Sequence, residues 1–190
     1  DVIIQTPEHF LSALFGLGIR DARLELDSDE CPILNGAADS IVEKLVSNNL
    51  ISEKETRDDI QPDSSDRPLP KSYVNNALII DKSHYVTCGE KNEKSFLILP
   101  SEEFRVTYIL EYNDSFVGNQ IADIFITKDN YEKQICMCRT YGFEHEILFL
   151  IEKGLIKGAS LDNAILVKET CYSTDLKFPN ELARHKILDL

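Results

Sequence analysis

Two short stretches of the sequence hold imidazole and carboxylate side chains that could act together. Glu8 and His9 are adjacent near the start, and His185 and Asp189 are four residues apart near the end. On an α-helix, side chains four residues apart lie on one face, about one turn apart. Such a pair can bind zinc in two neighbouring coordination positions, with His9 as a third ligand and the fourth position left for water. Glu8 is then the candidate general base.

The spacing alone leaves a plainer alternative open. A His and an Asp four residues apart also form ordinary hydrogen bonds on the surface of a helix. The sequence contains no glycine-rich phosphate loop and no Gly-x-Ser-x-Gly nucleophile elbow. It therefore gives no support to phosphate-loop nucleotide hydrolysis or to a serine nucleophile of that kind.

Patterns of apolar residues predict the helices that must carry these side chains. Thr6 suits the N-cap, and Pro7 and Glu8 suit the first turn, of a helix that ends at Gly16. Further helices are predicted at three places, namely from Asp39 onward, over residues 143–152, and from Pro179 to the end.

Alternating apolar and polar residues predict the strands. They lie at residues 22–26, 77–80, 84–88, 95–99, 104–112, 124–127, 131–139, 155–158 and 164–167. Strands mixed with helices in this way predict an α+β fold. Residues 53–72 are rich in charge, proline and serine and contain almost nothing that could form a core. We therefore predict a linker or insertion there, between one domain at 1–52 and another at 73–190.

The overall composition excludes several kinds of protein. The 190 residues include 20 Lys and Arg and 33 Asp and Glu, so the formal net charge is −13. So acidic a chain repels phosphate backbones, and we expect no nucleic-acid partner. No apolar run approaches the ~20 residues needed to cross a bilayer, so no membrane span is predicted. Five cysteines, an odd number, favour reduced thiols in the cytoplasm over a disulfide framework.

Five separate stretches of the sequence resemble motifs of one known protein family, and they occur in the same order and at similar separations. They are residues 6–19, 32–36, 139–143, 158–164 and 184–189. Together they resemble the bacterial UDP-3-O-acyl-N-acetylglucosamine deacetylases. The resemblance implies a cytoplasmic, monomeric, zinc-dependent hydrolase. Its substrate would be UDP-linked acylated N-acetylglucosamine, and removal of the acetyl group would be the committed step of lipid A biosynthesis.

The resemblance assigns metal-binding and catalytic roles to six residues. Three of them would be zinc ligands, namely His9, His185 and Asp189, and iron(II) could occupy the same ligands. Glu8 would take the proton of the attacking water. The Thr140 hydroxyl would stabilise the oxyanion, and Lys186 would neutralise substrate phosphate or hydroxyl groups.

The resemblance also assigns four residues to substrate binding. Tyr112 would pack on the uracil ring. An insert at about 143–161 would form a passage for the acyl chain, lined by Ile147, Ile156 and Ser160. Each assignment has an ordinary alternative: Thr140 could simply end a strand, Tyr112 could be an edge-strand aromatic, and the apolar stripe at Ile147 could be core.

The resemblance implies two similar domains, each a two-layer α/β sandwich with a sheet packed on helices, and a zinc site between them. The first domain would be incomplete. The second would be truncated before the histidine that protonates the leaving amine and before the aspartate that orients this histidine. We therefore expect the 190 residues alone to be poorly active.

Two motifs depart from the family pattern and keep other functions open, one of them being Ala159 at the middle glycine of the family's Gly-Gly-Ser. The turn that normally carries Asp-Gly-Ser reads Asn35-Gly36-Ala37 here. A degenerate homologue that binds metal or a nucleotide sugar without turnover is the first alternative. The second is a structural α+β domain in which the His/Asp pair has no chemical role.

Overall fold

The computed structural model describes residues 3–19, 22–48, 73–74, 77–78, 80–89, 94–112, 115–152 and 163–190. Contacts within the chain divide it into two units, one formed by Asp1–Ile51 with Arg105–Leu190 and the other by Ser52–Phe104. The linker predicted at 53–72 and the strand predicted at 155–158 lie outside the described residues. The predicted domain boundaries stay a prediction.

Helices form in the larger unit at the four places where the sequence predicts them. They are α1 (Glu8–Gly16), α2 (Asp39–Ser47), α4 (Glu144–Glu152) and α5 (Glu181–Asp189). The predicted cap of α1 is wrong, because Pro7 holds the N-cap position and no side chain caps the helix. Thr6 has a positive φ of 54°, so its backbone turns the chain into the helix. No helix among the described residues has the length and apolarity to cross a membrane.

The described sheets are small, with two strands each. In the larger unit, β5 (Arg105–Tyr112) pairs antiparallel with β6 (Gly118–Phe125), and β7 (Tyr141–Phe143) pairs parallel with β8 (Ile165–Val167). The smaller unit has two antiparallel pairs, β1 (Tyr73–Val74) with β2 (Ala77–Leu78) and β3 (His84–Cys88) with β4 (Lys94–Ile98). The mixture of helices and small sheets confirms the α+β prediction.

The core of the larger unit lies around α5. Every second residue of β6 is buried, which gives the β5–β6 pair an apolar face toward the core. Helix α5 contacts α1 and both strands of this pair. The larger members of the core cluster are Leu17, Ile41, Val42, Leu110, Ile124, Tyr131, Ile135, Ile165, Val167, Leu182, Ile187 and Leu188. Because α5 is central, its buried polar residues Glu181 and His185 are held in position by packing on several sides.

The strand predicted at 131–139 is wrong. The chain instead forms a short helix, α3 (Lys128–Asn130), that continues into a π-helical turn over Tyr131–Ile135. The Thr127 hydroxyl accepts a hydrogen bond of 3.1 Å from the backbone N–H of Asn130 and so caps the start. Apolar residues four apart fit a strand alternation as well as a helical turn, and the cap decides in favour of the helix.

Two further strand predictions are also corrected. Residues 22–26 have no regular secondary structure and are exposed, although their apolar residues alternate. The nearest pairing is an isolated parallel bridge between Gln5 and Glu30. The strand predicted at 124–127 is the end of β6, which begins at Gly118. Its first half was missed because Gln120, a polar residue, occupies a buried position.

Gly36 is expected to be essential for the local packing. Its φ is +74°, and a Cβ placed on it would lie 1.6 Å from the carbonyl oxygen of Asn163. A Gly36→Ala substitution therefore combines left-handed backbone strain with a backbone clash. We expect it to lower the free energy of unfolding by about 1–2 kcal/mol from strain and a further ~1–3 kcal/mol from overpacking. Urea denaturation measures the loss.

Gly18 provides the matched control for this substitution. Its φ is +76°, but nothing lies within 4 Å of the position that a Cβ would take. Gly18→Ala should therefore show the backbone strain alone. Equal losses in the two variants would mean that the segment containing Gly36 does not pack against Asn163.

Candidate metal site

Helices α1 and α5 bring two histidines from opposite ends of the sequence into contact. His9 is 1% exposed and His185 is 2% exposed. Their ring centroids are 5.5 Å apart and the rings are inclined by 48°. Two buried imidazoles at this separation can present ring nitrogens to one shared ligand.

The orientation of the His185 ring is set by the contacts that its two ring nitrogens make. Nδ1 lies 3.0 Å from the carbonyl oxygen of Cys138, and Nε2 lies 3.4 Å from Oδ1 of Asp189. Burial lowers the pKa of His185 from 6.5 to about 4, so the ring is neutral near pH 7. Since a carbonyl only accepts, the proton lies on Nδ1. The lone pair of Nε2 therefore faces the carboxylate of Asp189, an arrangement that a cation would stabilise.

Neither ring nitrogen of His9 has a partner among the described residues. Nδ1 and Nε2 are both buried, and neither forms a hydrogen bond within the described part of the chain. Burial lowers the pKa of this imidazole, against the opposing effect of the nearby carboxylates of Glu8 and Asp189. A buried nitrogen without a partner costs about 1–3 kcal/mol, so its presence in a core needs an explanation. A ligand bound there would provide one.

The three predicted ligands fit zinc by their chemistry. Two neutral imidazoles and a carboxylate are donors that catalytic zinc sites use. The Nδ1–H of His185 bonds to a backbone carbonyl, which is the usual outer contact of a metal-binding histidine. Among the described residues, however, no group of three or more His, Cys, Asp or Glu has a geometry that could hold a metal ion.

Lys186 and Tyr112 join the same region through Tyr141. The ammonium of Lys186 is 2.9 Å from Oδ2 of Asp189 and 5.3 Å from the centre of the Tyr141 ring. The hydroxyls of Tyr141 and Tyr112 share a hydrogen bond of 3.1 Å. Phe143 packs edge-on against Tyr112 at 4.8 Å. Neither Tyr141 nor Phe143 was identified from the sequence, although both are aromatic residues of one short strand, β7.

Glu8 and Thr140 are both partly buried. Glu8 is the first residue of α1, directly before His9. Thr140 precedes β7 and is held by its backbone, since its N–H donates to Gly36 at 2.6 Å and its carbonyl accepts from Ile165 at 2.8 Å. The Thr140 hydroxyl is therefore attached to a backbone fixed from two sides.

Of the three residues predicted to line the acyl-chain passage, the structure describes one, Ile147, whose side chain lies against Gly142 of β7. Ile147 is partly buried on α4, and its Cδ1 lies 2.6 Å from the position that a Cβ on Gly142 would take. Ile156 and Ser160 lie outside the described residues. The turn formed by Asn35, Gly36 and Ala37, which departs from the family pattern, faces α2. The side-chain amide of Asn35 donates to Asp39 at 2.6 Å, and Ala37 is fully buried.

Sequence reasoning missed one buried ion pair beside the site. Glu181 is fully buried at the start of α5, and its Oε1 accepts a bond of 3.0 Å from Nε of Arg139. The backbone N–H of Arg139 donates to the same oxygen at 3.1 Å. The only signal in the sequence was the position of Arg139 directly before Thr140.

The metal-free chain is expected to lose stability as the pH falls. The pKa of His185 is lowered to about 4 and that of His9 is also lowered, both chiefly by burial. The unfolded chain therefore binds the proton first, so stability present above about pH 6.5 is lost as the pH falls toward about 4. His185 alone accounts for about 3 kcal/mol. Urea denaturation of the chelator-treated chain across this pH range measures the free energy of unfolding. If this free energy depends on pH as steeply in His185→Gln as in the wild type, the loss does not come from His185.

Comparison with known proteins gives one consistent result. The family model described as LpxC, UDP-3-O-acyl N-acetylglycosamine deacetylase, matches residues 1–190. Proteins named UDP-3-O-acyl-N-acetylglucosamine deacetylase are similar over almost all of this chain. They include those of Chlamydia trachomatis (31% identical over 99% of this chain and 59% of its own length) and Syntrophus aciditrophicus (34%, 98% and 53%). That of Teredinibacter turnerae is 35% identical over 100% of this chain and 57% of its own length. The chain thus spans between half and three-fifths of these relatives.

Proposed function

The chain belongs to the UDP-3-O-acyl N-acetylglycosamine deacetylase family, and on this premise we propose that the protein is a zinc-dependent hydrolase. It would remove the acetyl group from UDP-3-O-acyl-N-acetylglucosamine, the committed step of lipid A biosynthesis. One observation carries the proposal: two buried histidines from distant parts of the sequence meet with ring centroids 5.5 Å apart, and one has both nitrogens unpartnered among the described residues.

His9, His185 and Asp189 would hold the metal. The support is the lone pair of His185 Nε2, which lies 3.4 Å from an Asp189 oxygen, together with the unpartnered nitrogens of His9. Bound zinc would supply Lewis acidity, which polarises the amide carbonyl and lowers the pKa of water to about 7. Iron(II) would suit the same donors.

Three other residues would carry the proton and charge movements. Glu8 would accept the proton of the water that attacks the acetyl carbonyl. The Thr140 hydroxyl would donate a hydrogen bond to the carbonyl oxygen as it becomes negative, and its backbone is fixed by Gly36 and Ile165. Lys186 would neutralise phosphate or hydroxyl oxygens of the substrate, and its contact with Asp189 keeps it beside the metal ligands.

Two regions would hold the rest of the substrate. Tyr112 would pack on the uracil ring, supported by its place in an aromatic cluster with Tyr141 and Phe143. Ile147, Ile156 and Ser160 would line the passage for the acyl chain. For Ile156 and Ser160 this proposal rests on the sequence alone.

The zinc site would lie between two similar two-layer α/β domains, formed by residues 1–52 and 73–190. The support is that α1 of the first segment and α5 of the second each contribute one of the buried histidines. We also propose that the protein works in the cytoplasm as a monomer.

Metal content and turnover test the proposal together. The chain and its His185→Ala variant are purified without added metal and analysed for zinc, and the full-length protein is assayed for release of the free amine from the substrate. We expect about one zinc per chain, lost in the variant, and turnover. A folded chain without metal would overturn the zinc site. Zinc without turnover in the full-length protein would instead favour a degenerate homologue.

A further inference from the structure

Helix α5 binds both polar groups of a single peptide unit, the one that joins Cys138 to Arg139. Oε1 of Glu181 accepts a hydrogen bond of 3.1 Å from the backbone N–H of Arg139. Nδ1–H of His185 donates to the carbonyl oxygen of Cys138 at 3.0 Å. Glu181 and His185 are four residues apart and so lie one turn apart on the same helix face. The two side chains therefore hold one peptide from its opposite ends.

The Glu181 end of this arrangement is rigid. Arg139 Nε and Nη2 donate to the two carboxylate oxygens of Glu181 at 3.0 and 3.2 Å, and Nη2 also donates to the carbonyl of Asp175 at 2.8 Å. Glu181 is fully buried. A buried ion pair of this kind often adds little stability relative to apolar residues of the same size. The main contribution of this ion pair is then to the position of the Cys138–Arg139 peptide.

The position of the peptide matters for two site residues. The carbonyl of Cys138 fixes the proton of His185 on Nδ1, which leaves Nε2 free to bind a metal. A carboxylate that accepts the N–H of the same peptide also polarises it and strengthens its carbonyl as an acceptor. Thr140 is the next residue after Arg139, so its backbone starts from this fixed peptide.

We propose that Glu181 is a positioning residue, which holds His185 in its metal-binding tautomer and orientation through the Cys138–Arg139 peptide and thereby raises metal affinity. The part that concerns metal rests on the proposed zinc site. Within the described part of the chain, the Glu181 carboxylate accepts hydrogen bonds from Arg139 and from the backbone N–H of Lys177, so its role would be exerted through the peptide and not by ligation. Outer contacts of metal-binding histidines typically change metal affinity by about 10- to 100-fold.

Two substitutions within the same ion pair separate positioning from stability. Both oxygens of Glu181 accept from N–H donors, so Glu181→Gln must place an amide NH2 against donors of Arg139 or Lys177 and thereby disturbs its hold on the peptide. Arg139→Lys disrupts the side-chain fork but leaves Glu181 to accept the backbone N–H. Both are expected to reduce stability. In zinc competition against a chromogenic chelator, we expect Glu181→Gln to bind about tenfold more weakly or worse, and Arg139→Lys to remain within about threefold of wild type.

A second measurement needs no metal. In chelator-treated protein labelled with ¹⁵N-histidine, a hydrogen-bonded Nδ1–H of His185 gives a slowly exchanging imidazole proton signal, assigned by its loss in His185→Gln. We expect this signal in the wild type and in Arg139→Lys, and its loss in Glu181→Gln. Asp123→Asn, which breaks the exposed ion pair with Arg105, should change neither readout.

The outcomes are distinguishable. The proposal is overturned if Glu181→Gln, shown by circular dichroism to be folded, keeps both zinc affinity within threefold and the imidazole signal. If Glu181→Gln does not fold, Glu181→Asp replaces it, since a carboxylate shortened by one methylene should also release the peptide. A wild-type chain that binds no zinc would overturn the zinc site, and the imidazole signal alone would then decide the role of Glu181.

Discussion

Glu8→Gln is expected to lower the turnover of the full-length protein by about 100- to 10,000-fold, with the zinc content unchanged. Glutamine has the same shape as glutamate but does not accept a proton at neutral pH. Glu8 begins α1 next to the buried His9, and its carboxylate is close enough to act on the pKa of that imidazole, raising it against the effect of burial. Steady-state release of the free amine measures turnover, and elemental analysis of the same samples measures zinc.

Glu43→Gln is the matched control for this result, because Glu43 is an exposed glutamate on α2, outside the proposed site. Its turnover should equal that of the wild type. If Glu8→Gln loses zinc together with activity, Glu8 supports the metal site and is not the base. If it keeps full turnover, another group takes the proton.

The sequence predicted the helices that carry the two histidines better than it predicted the sheets. Spacing and the family resemblance placed His9 and His185 on two helices, and the structure brings their rings into contact. Prediction failed at 131–139, because Tyr131 and Ile135 are an even number of residues apart and satisfy both a strand and a helical turn. The cap from Thr127 decided between these two structures, and it is a local side-chain bond that hydrophobic periodicity does not record.

The pairing of Glu181 with Arg139 could not be predicted for a different reason. The chain has 33 acidic residues, and nothing in the sequence marks which of them is fully buried. Burial of Glu181 follows from the central place of α5 in the core, and its partner is distant in sequence. Interactions of this kind depend on the assembled fold, since local patterns specify a helix face but not what packs against it.

His9→Leu is expected to abolish zinc binding and, unusually for a core substitution, to stabilise the metal-free chain by about 1–3 kcal/mol. Both ring nitrogens of His9 are buried without a partner among the described residues, so the fold loses nothing when they are removed. Leucine keeps an apolar side chain in contact with the surrounding core. Zinc analysis and urea denaturation in the presence of chelator measure the two effects.

His185→Leu should abolish zinc binding too, but with the opposite effect on stability. It removes the Nδ1–H that donates to the carbonyl of Cys138, and a buried carbonyl without a donor costs about 1–3 kcal/mol. Two neighbouring histidines of one site should therefore shift the metal-free stability in opposite directions. Equal destabilisation by both substitutions would mean that His9 has a hydrogen-bond partner in solution, such as a buried water, and that its nitrogens are not reserved for a metal.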